Sequence, residues 1–299
     1  MKIKLLFLII LVILVISGYY YSIQQNEKVI ISLTTSVNDS GLAYMLEEKF
    51  EEYHPDIDIQ IIASGTGKAL EIARRGDADL VLVHNRQMEE EFVENGIGEH
   101  RITLMYNNFV LIGPESDPLS ISGNNITAAL EKMALTKNVY DFRFISRGDL
   151  SGTHQFERLL WSKIGIEPTG MKWYIETSSG MGNTLRIADE KEAYVIIDSG
   201  TWQSLKDGKN LVVLSKDDPD TINPYSLIIV SKNVHPNVNY SGAEKFILFL
   251  ISEEGQRNIG NFKKNNEILF TPIFGKPELI GLQSEKDSIE YWEDRLYNQ

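Results

Sequence analysis

Ser146-Arg147-Gly148-Asp149-Leu150-Ser151-Gly152-Thr153-His154 lies between a short β-type run at residues 142–145 and a helical run at residues 155–164, where Leu159, Leu160 and Ile164 recur at helical spacing. A strand that feeds straight into a helix N-terminus presents amides without intrahelical acceptors at the positive end of the helix dipole, which favours an anion. Gly148 and Gly152 let backbone approach a ligand, Ser146, Ser151 and Thr153 offer hydroxyls, and Arg147 adds a fixed charge with directed donors. Taken alone, the stretch is more economically a helix cap with a surface arginine, since Ser and Thr commonly precede helices. Recurrence overturns that reading.

Three further junctions of the same kind occur. Residues 29–33 lead into Thr34-Thr35-Ser36, and a helix opening at Asp39-Ser40-Gly41 puts Leu42, Met45, Leu46 and Phe50 on one face. Residues 57–63 break at Ser64-Gly65-Thr66-Gly67 before a helix over 70–75, and residues 173–176 give way to Thr177-Ser178-Ser179-Gly180-Met181-Gly182 before a helix through Leu185, Ile187 and Ala188. Apolar runs at 80–83, 109–112, 193–197, 211–214 and 227–230 supply further strands, and helical patterns follow at 88–94, 128–135 and 243–262. Strands alternating with helices at this spacing predict an α/β protein with mainly parallel sheets. The Pro-, Ser- and Gly-rich residues 113–124 and the acidic residues 217–220 read as boundaries. Two junctions precede the first boundary and two follow it. The expected organisation is therefore two lobes, 28–112 with 225–299 and 113–224, facing one cleft and joined by crossing strands near 106–114 and 223–230.

The whole chain sets limits on function. Its 299 residues, 42% apolar, suffice for two compact domains, and a formal net charge of −13 argues against nucleic acid as a partner. That charge also opposes long-range attraction of an anion, so an anion site must rely on local donors in a cleft. The absence of cysteine removes disulfides, thiolate metal sites and a lipid-modified N-terminal cysteine. Lys2 and Lys4 precede an apolar run, and residues 5–23 approach the length that spans a bilayer, with Tyr19, Tyr20 and Tyr21 suited to its interface. Residues 1–27 are expected to export the chain and either anchor it at the extracytoplasmic face or be cleaved.

The motifs together resemble the extracytoplasmic tungstate-binding proteins of ABC uptake systems, the TupA type. The resemblance rests on Thr34-Thr35-Ser36, Gly65-Thr66-Gly67-Lys68-Ala69-Leu70-Glu71 with Arg74-Arg75-Gly76-Asp77-Ala78-Asp79, the 146–154 stretch, Gly180-Met181-Gly182-Asn183-Thr184-Leu185-Arg186-Ile187-Ala188 and Asn223-Pro224-Tyr225-Ser226. It covers nearly everything after the export segment. It implies a type II periplasmic-binding-protein fold and ligand contacts from Thr35, Ser36, Thr66, Arg147, Ser151, Gly152 and Thr153, with Ser178 and Ser179 as further candidates. It also implies tungstate or molybdate as ligand, an ABC permease as partner, a monomer, no cofactor and no metal held as a cation. One departure stands out: Leu33 precedes Thr34 where bacterial members often carry a further threonine.

Rival chemistries fit less well. Ser64-Gly65-Thr66-Gly67-Lys68 lacks the phosphate-loop pattern, having Ile62 where a glycine and Ala69 where a hydroxyl residue belong. Ser151 and His154 could form a hydrolase pair, but no G-x-S-x-G elbow surrounds any serine. His54, His84, His100, His154 and His235 show no metal-ligand spacing. A site made almost wholly of donors suits tungstate, molybdate or sulfate, which only accept, over phosphate, which carries a proton near pH 7. Asp149 is the one acidic residue of the central motif, and it either orients Arg147 or favours the helix behind it.

Overall fold

The computed structural model describes residues 27–216, 218–283 and 285–298; of the segment 1–27 expected to direct export, residues 1–26 lie outside them. In chain order the elements are β1 (Glu27–Thr34), α1 (Thr35–Ser40), α2 (Leu42–Tyr53), β2 (Ile57–Ser64), α3 (Thr66–Arg74), β3 (Leu80–Val83), α4 (Arg86–Glu94) and β4 (Gly98–Pro114). There follow α5 (Ile126–Thr136), β5 (Phe144–Ser146), α6 (Gly152–Lys163), β6 (Tyr174–Glu176), α7 (Met181–Glu190), β7 (Val195–Asp198), α8 (Ser199–Leu205) and β8 (Leu211–Val213). The chain closes with β9 (Ile222–Val230), α9 (Tyr240–Ile251), α10 (Glu253–Asn261), β10 (Lys263–Lys264), β11 (Glu267–Ile268), β12 (Thr271–Pro272) and α11 (Lys286–Tyr297).

Two lobes result, each a sheet between layers of helices. In the first, the order is β2-β1-β3-β9-β4-β12. Its β1, β2 and β3 are mutually parallel, and β9 and β4 join antiparallel. One face packs Leu42, Leu46 and Phe50 of α2 with Phe246 and Leu250 of α9, and the other packs Leu70 and Ala73 of α3 with Phe92 of α4. Apolar residues on both faces explain the unbroken run Leu80-Val81-Leu82-Val83 in β3. In the second lobe, β5 and β6 are parallel, Phe144 bridges to Tyr194 just before β7, and β7 and β8 flank β4.

β4 belongs to both lobes. Gly98 to Asn108 pair with β9, whereas Phe109 to Pro114 pair with β7 and β8. The switch of partners falls between Asn108 and Phe109, a few residues before the Gly113-Pro114 break that suggested a boundary. Only the apolar half of this strand is conspicuous in the sequence, because Thr103, Asn107 and Asn108 interrupt the pattern where the chain crosses between lobes. The tail expected as one helix over 243–262 is broken at Ser252, whose hydroxyl accepts from the Gly255 amide and caps α10.

The C-terminal segment is tied to the first lobe. Trp292 of α11 is fully buried, and its Nε1 donates to the His100 carbonyl at 2.9 Å. Glu285 accepts from Arg101 Nη1 at 2.5 Å and from the Thr103 amide at 2.7 Å, while Arg101 also pairs with buried Glu89. Burying charge is costly unless it is paired this completely.

Candidate functional site

Strand register brings the junctions together in pairs. Thr34 and Ser64 are partners at the ends of β1 and β2, so α1 and α3 begin side by side. Ser146 and Glu176 are partners at the ends of β5 and β6, so the loops into α6 and α7 also leave from adjacent points. The lobes then meet: a Cβ built on Gly65 would lie 3.5 Å from Ser151 Cβ and 3.7 Å from Asp149 Oδ2. A Cβ on Gly152 would fall 2.5 Å from the His84 carbonyl oxygen, so only glycine permits this approach of α6 to the first lobe.

Four buried side-chain donors around this meeting point have no protein partner: Thr35 Oγ1 and Thr66 Oγ1 from the first lobe, Arg147 Nε and Thr153 Oγ1 from the second. Leaving a buried polar group unpaired costs about 1–3 kcal/mol. Isolated unpaired atoms occur elsewhere, as at Ser32 and Asn258, but these four lie on junctions of both lobes that strand register and the Gly65 and Gly152 contacts bring together. The set is suited to an acceptor with several oxygens. The amides at the starts of α3 and α6 add positive potential.

Arg147 is nearly inaccessible, and its Nη2 donates to Asp149 Oδ2 at 2.6 Å. Asp149 Oδ1 accepts from the Ser151 amide at 3.2 Å, so Asp149 both holds Arg147 and satisfies the residue that caps α6. Gly148 and Leu150 take left-handed φ values of 62° and 57°, which fold the loop back so that Arg147 and Asp149 meet. Burial opposes ionisation of Asp149, but the Arg147 charge and the hydrogen bonds from Arg147 and Ser151 outweigh it and hold the carboxyl below the usual range.

The nine candidates divide into groups. Thr35, Thr66, Arg147 and Thr153 carry the unpaired donors, and Ser151 and Gly152 form the first turn of α6 against His84. Ser36 Oγ lies 3.1 Å from both Thr34 Oγ1 and Tyr225 OH. Ser178 is exposed, and Ser179 Oγ donates to Thr177 Oγ1 and accepts from Asn183, so the Ser179 hydroxyl serves the entry to α7 and neither serine is among the buried unpaired donors. Leu33 packs in the core of the first lobe, so the departure at that position does not remove a hydroxyl from the cleft.

Ser151 and His154 do not form a nucleophile and base. Ser151 Oγ accepts from the His154 amide at 3.4 Å, while His154 Nδ1 accepts from the Leu150 amide at 3.0 Å, which puts the ring proton on Nε2. A cavity of about 710 Å³ runs along the other flank of α6 between Phe109, Gln155 and Asn223, but its lining includes none of the four unpaired donors. Among the described residues no group of three or more His, Cys, Asp or Glu could hold a metal ion.

Sequence reading missed a buried polar chain behind Ser36. It links Tyr225 and Asn223 of β9, Asn107 of β4, His84 after β3 and Asp198 at the end of β7. Asn223-Pro224-Tyr225 was the one visible signal, and nothing local indicates its distant partners.

Residues 22–254 match the family model of the PBP superfamily domain. The chain is 41% identical over 265 residues to the protein described as tungstate-binding protein TupA of Peptoclostridium acidaminophilum, covering 87% of this chain and 90% of that one. It is 35% identical to the tungstate-binding protein TupA of Campylobacter jejuni, over 79% of this chain and 87% of the relative. Among solved structures, that of a tungstate ABC transporter protein from Geobacter sulfurreducens superposes with a TM-score of 0.72 at 38% identity, covering 79% of this chain and 99% of the other. The tungstate-binding protein TupA of Desulfovibrio alaskensis superposes with a TM-score of 0.70 at 37% identity, covering 82% and 98%. With its two lobes, its crossing strands and relatives this similar over most of their length, the chain belongs to the periplasmic-binding-protein superfamily and, within it, to the TupA family.

Proposed function

We propose that the protein captures a single tetrahedral oxyanion, tungstate before molybdate or sulfate, between its lobes and delivers it to the permease of an ABC transporter. The observation that carries this reading is the convergence of Thr35 Oγ1, Thr66 Oγ1, Arg147 Nε and Thr153 Oγ1, buried donors from both lobes without a protein acceptor. A ligand that only accepts answers all four at once, and Asp149, committed to Arg147 and the Ser151 amide, is not free to take a proton from phosphate. The names of the relatives favour tungstate within this class. The lobes, divided near residues 112 and 224, would close about β4 and β9, and residues 1–27 would export the monomer and hold it at the extracytoplasmic face.

Thermal unfolding tests the reading, because a ligand that binds only the folded state stabilises it, by about 2.7 kcal/mol at a hundredfold excess over Kd. Tungstate and molybdate should raise Tm, and phosphate at the same concentration should not. A Tm raised by phosphate alone would contradict it.

A further inference from the structure

We infer that His154 is a positioning residue for the anion site: its Nδ1 holds the left-handed turn at Leu150 that sets Arg147 against the first turn of α6. The inference rests on the oxyanion reading and concerns how the second lobe keeps its donors in place before a ligand arrives.

Leu150 is the residue that needs holding. Gly148 takes its φ of 62° at little cost, but a leucine at 57° is strained, because its Cβ crowds the following carbonyl. The Leu150 side chain is 62% exposed, so packing does little to secure that conformation, and hydrogen bonds to the backbone must do so. The Leu150 amide donates to His154 Nδ1 at 3.0 Å, and the next amide, that of Ser151, donates to Asp149 Oδ1 at 3.2 Å. His154 is itself fixed, since it is buried and its own amide donates to Ser151 Oγ at 3.4 Å. The serine that caps α6 thus serves the third helical residue, and that residue reaches back to the amide just before the serine, a capping box displaced by one position.

The place of this turn in the chain shows what it positions. Arg147 Nε and Thr153 Oγ1, the unpaired buried donors of the second lobe, stand on either side of it. Asp149, inside the turn, ties the two sides together by accepting from Arg147 Nη2 at 2.6 Å and from the Ser151 amide. A Cβ on Gly148 would lie 2.7 Å from Glu176 Cβ, so the turn is pressed against the end of β6 on one side and held by His154 on the other. In this arrangement the amides of Leu150, Ser151, His154 and Gln155 all have acceptors. Those of Gly152 and Thr153, which open α6 without an intrahelical acceptor, remain for an anion beside Thr153 Oγ1.

The contact requires an unprotonated Nδ1. Burial lowers the imidazole from its ordinary value of 6.5, against the opposing charges of Asp149 and Glu176, so the ring is uncharged at pH 7 and carries its proton on Nε2. Nε2 lies 3.8 Å from Glu176 Oε1, beyond hydrogen-bond reach, and Nδ1 is the atom through which the ring acts on the turn.

Tungstate affinity at pH 7 is to be measured for wild type, His154→Phe, Leu150→Gly and the double variant. His154→Phe keeps a ring and removes the acceptor. The empty loop then relaxes out of the strained turn and binding must restore it, so affinity should fall roughly 5- to 30-fold, the factor that corresponds to one left-handed residue. Glycine takes positive φ as readily as negative, so in the Leu150→Gly background the same substitution should cost about threefold or less. Lost ring packing alone would weaken binding equally in both backgrounds. Nitrogen-15 NMR of the wild-type imidazole should place the proton on Nε2. Should His154→Phe not fold, His154→Ala is read in the same cycle. An unchanged affinity when His154 is replaced, an equal loss in both backgrounds, or a wild-type ring protonated on Nδ1 would overturn the inference. A wild type that binds no tungstate would overturn the oxyanion reading and this inference with it.

Discussion

Arg147 Nη2 lies 2.6 Å from Asp149 Oδ2, yet Arg147 Nε, on the same guanidinium, is buried and unpaired. The carboxylate thus orients the fork without satisfying it, and one edge of the arginine is left for a ligand. Truncating one side of a desolvated charged contact costs roughly 2–5 kcal/mol, about 1.5 to 3.5 decades in affinity. Arg147→Ala should weaken tungstate binding by that amount, and Thr35→Ala by about 0.5–1.5 kcal/mol, as befits a neutral hydroxyl. Equilibrium titration of the two variants against wild type checks the order.

Asp149 should matter for the placement of Arg147 and not for protons on the ligand. Its carboxyl titrates below the usual range, so it is ionised throughout pH 5.5–7, and burial lowers the His154 imidazole from its ordinary value, which favours the uncharged ring. Tungstate affinity is expected to be flat across this window. Asp149→Asn should lower affinity by a constant factor with no new pH dependence, and a slope that disappears only in this variant would show that Asp149 exchanges a proton with the ligand.

Much of this site can be seen in the sequence because strand, hydroxyl cluster and helix are adjacent in the chain. Thr35, Thr66, Arg147 and Thr153 are legible for that reason. Hydroxyls that cap a helix look the same, and so Ser178 and Ser179 cannot be told apart from ligand contacts until Thr177 and Asn183 are seen to engage Ser179. Apart from the neighbours Asn223 and Tyr225, the relay behind Ser36 joins residues separated by 91 to 189 positions, which no local pattern encodes. α8 is obscured by its composition, Ser-Gly-Thr at its start, and depends on the Asp198 cap to form. The amphipathic α11 leaves its docking partner, the His100 carbonyl, invisible in the sequence.

Gly152 should set how far the lobes close. Its backbone is helical, so alanine fits the second lobe itself, but the added Cβ would meet the His84 carbonyl of the first lobe. Gly152→Ala should keep the Tm of the free protein within about 1 °C while lowering tungstate affinity at least tenfold, on the order of 1.4 kcal/mol. X-ray scattering with saturating tungstate should show a larger radius of gyration for the variant than for wild type, and equal radii would count against closure through this contact.

Glu157 gives the fold its own pH dependence. Burial pushes its carboxyl up to about 8 from an ordinary value of 4.5, although Tyr174 OH donates to it at 2.5 Å. A folded-state value above the unfolded one contributes stability that is fully present below pH 4.5 and is lost as pH rises towards 8, by up to about 1.4 kcal/mol per unit. Wild-type Tm should therefore fall between pH 5 and 8 more steeply than that of Glu157→Gln, which keeps an acceptor for Tyr174 but cannot ionise. Parallel profiles would mean that Glu157 is not the group responsible.

Isothermal titration of the chain without residues 1–26, with tungstate, molybdate, sulfate and phosphate in turn, tests the central claim most directly. One tungstate should bind per chain with saturable heat, molybdate should compete for the same site, and phosphate should neither bind nor displace tungstate at equal concentration. A protein that gives no heat with any of the four anions, or that binds phosphate in preference to tungstate, would contradict the account.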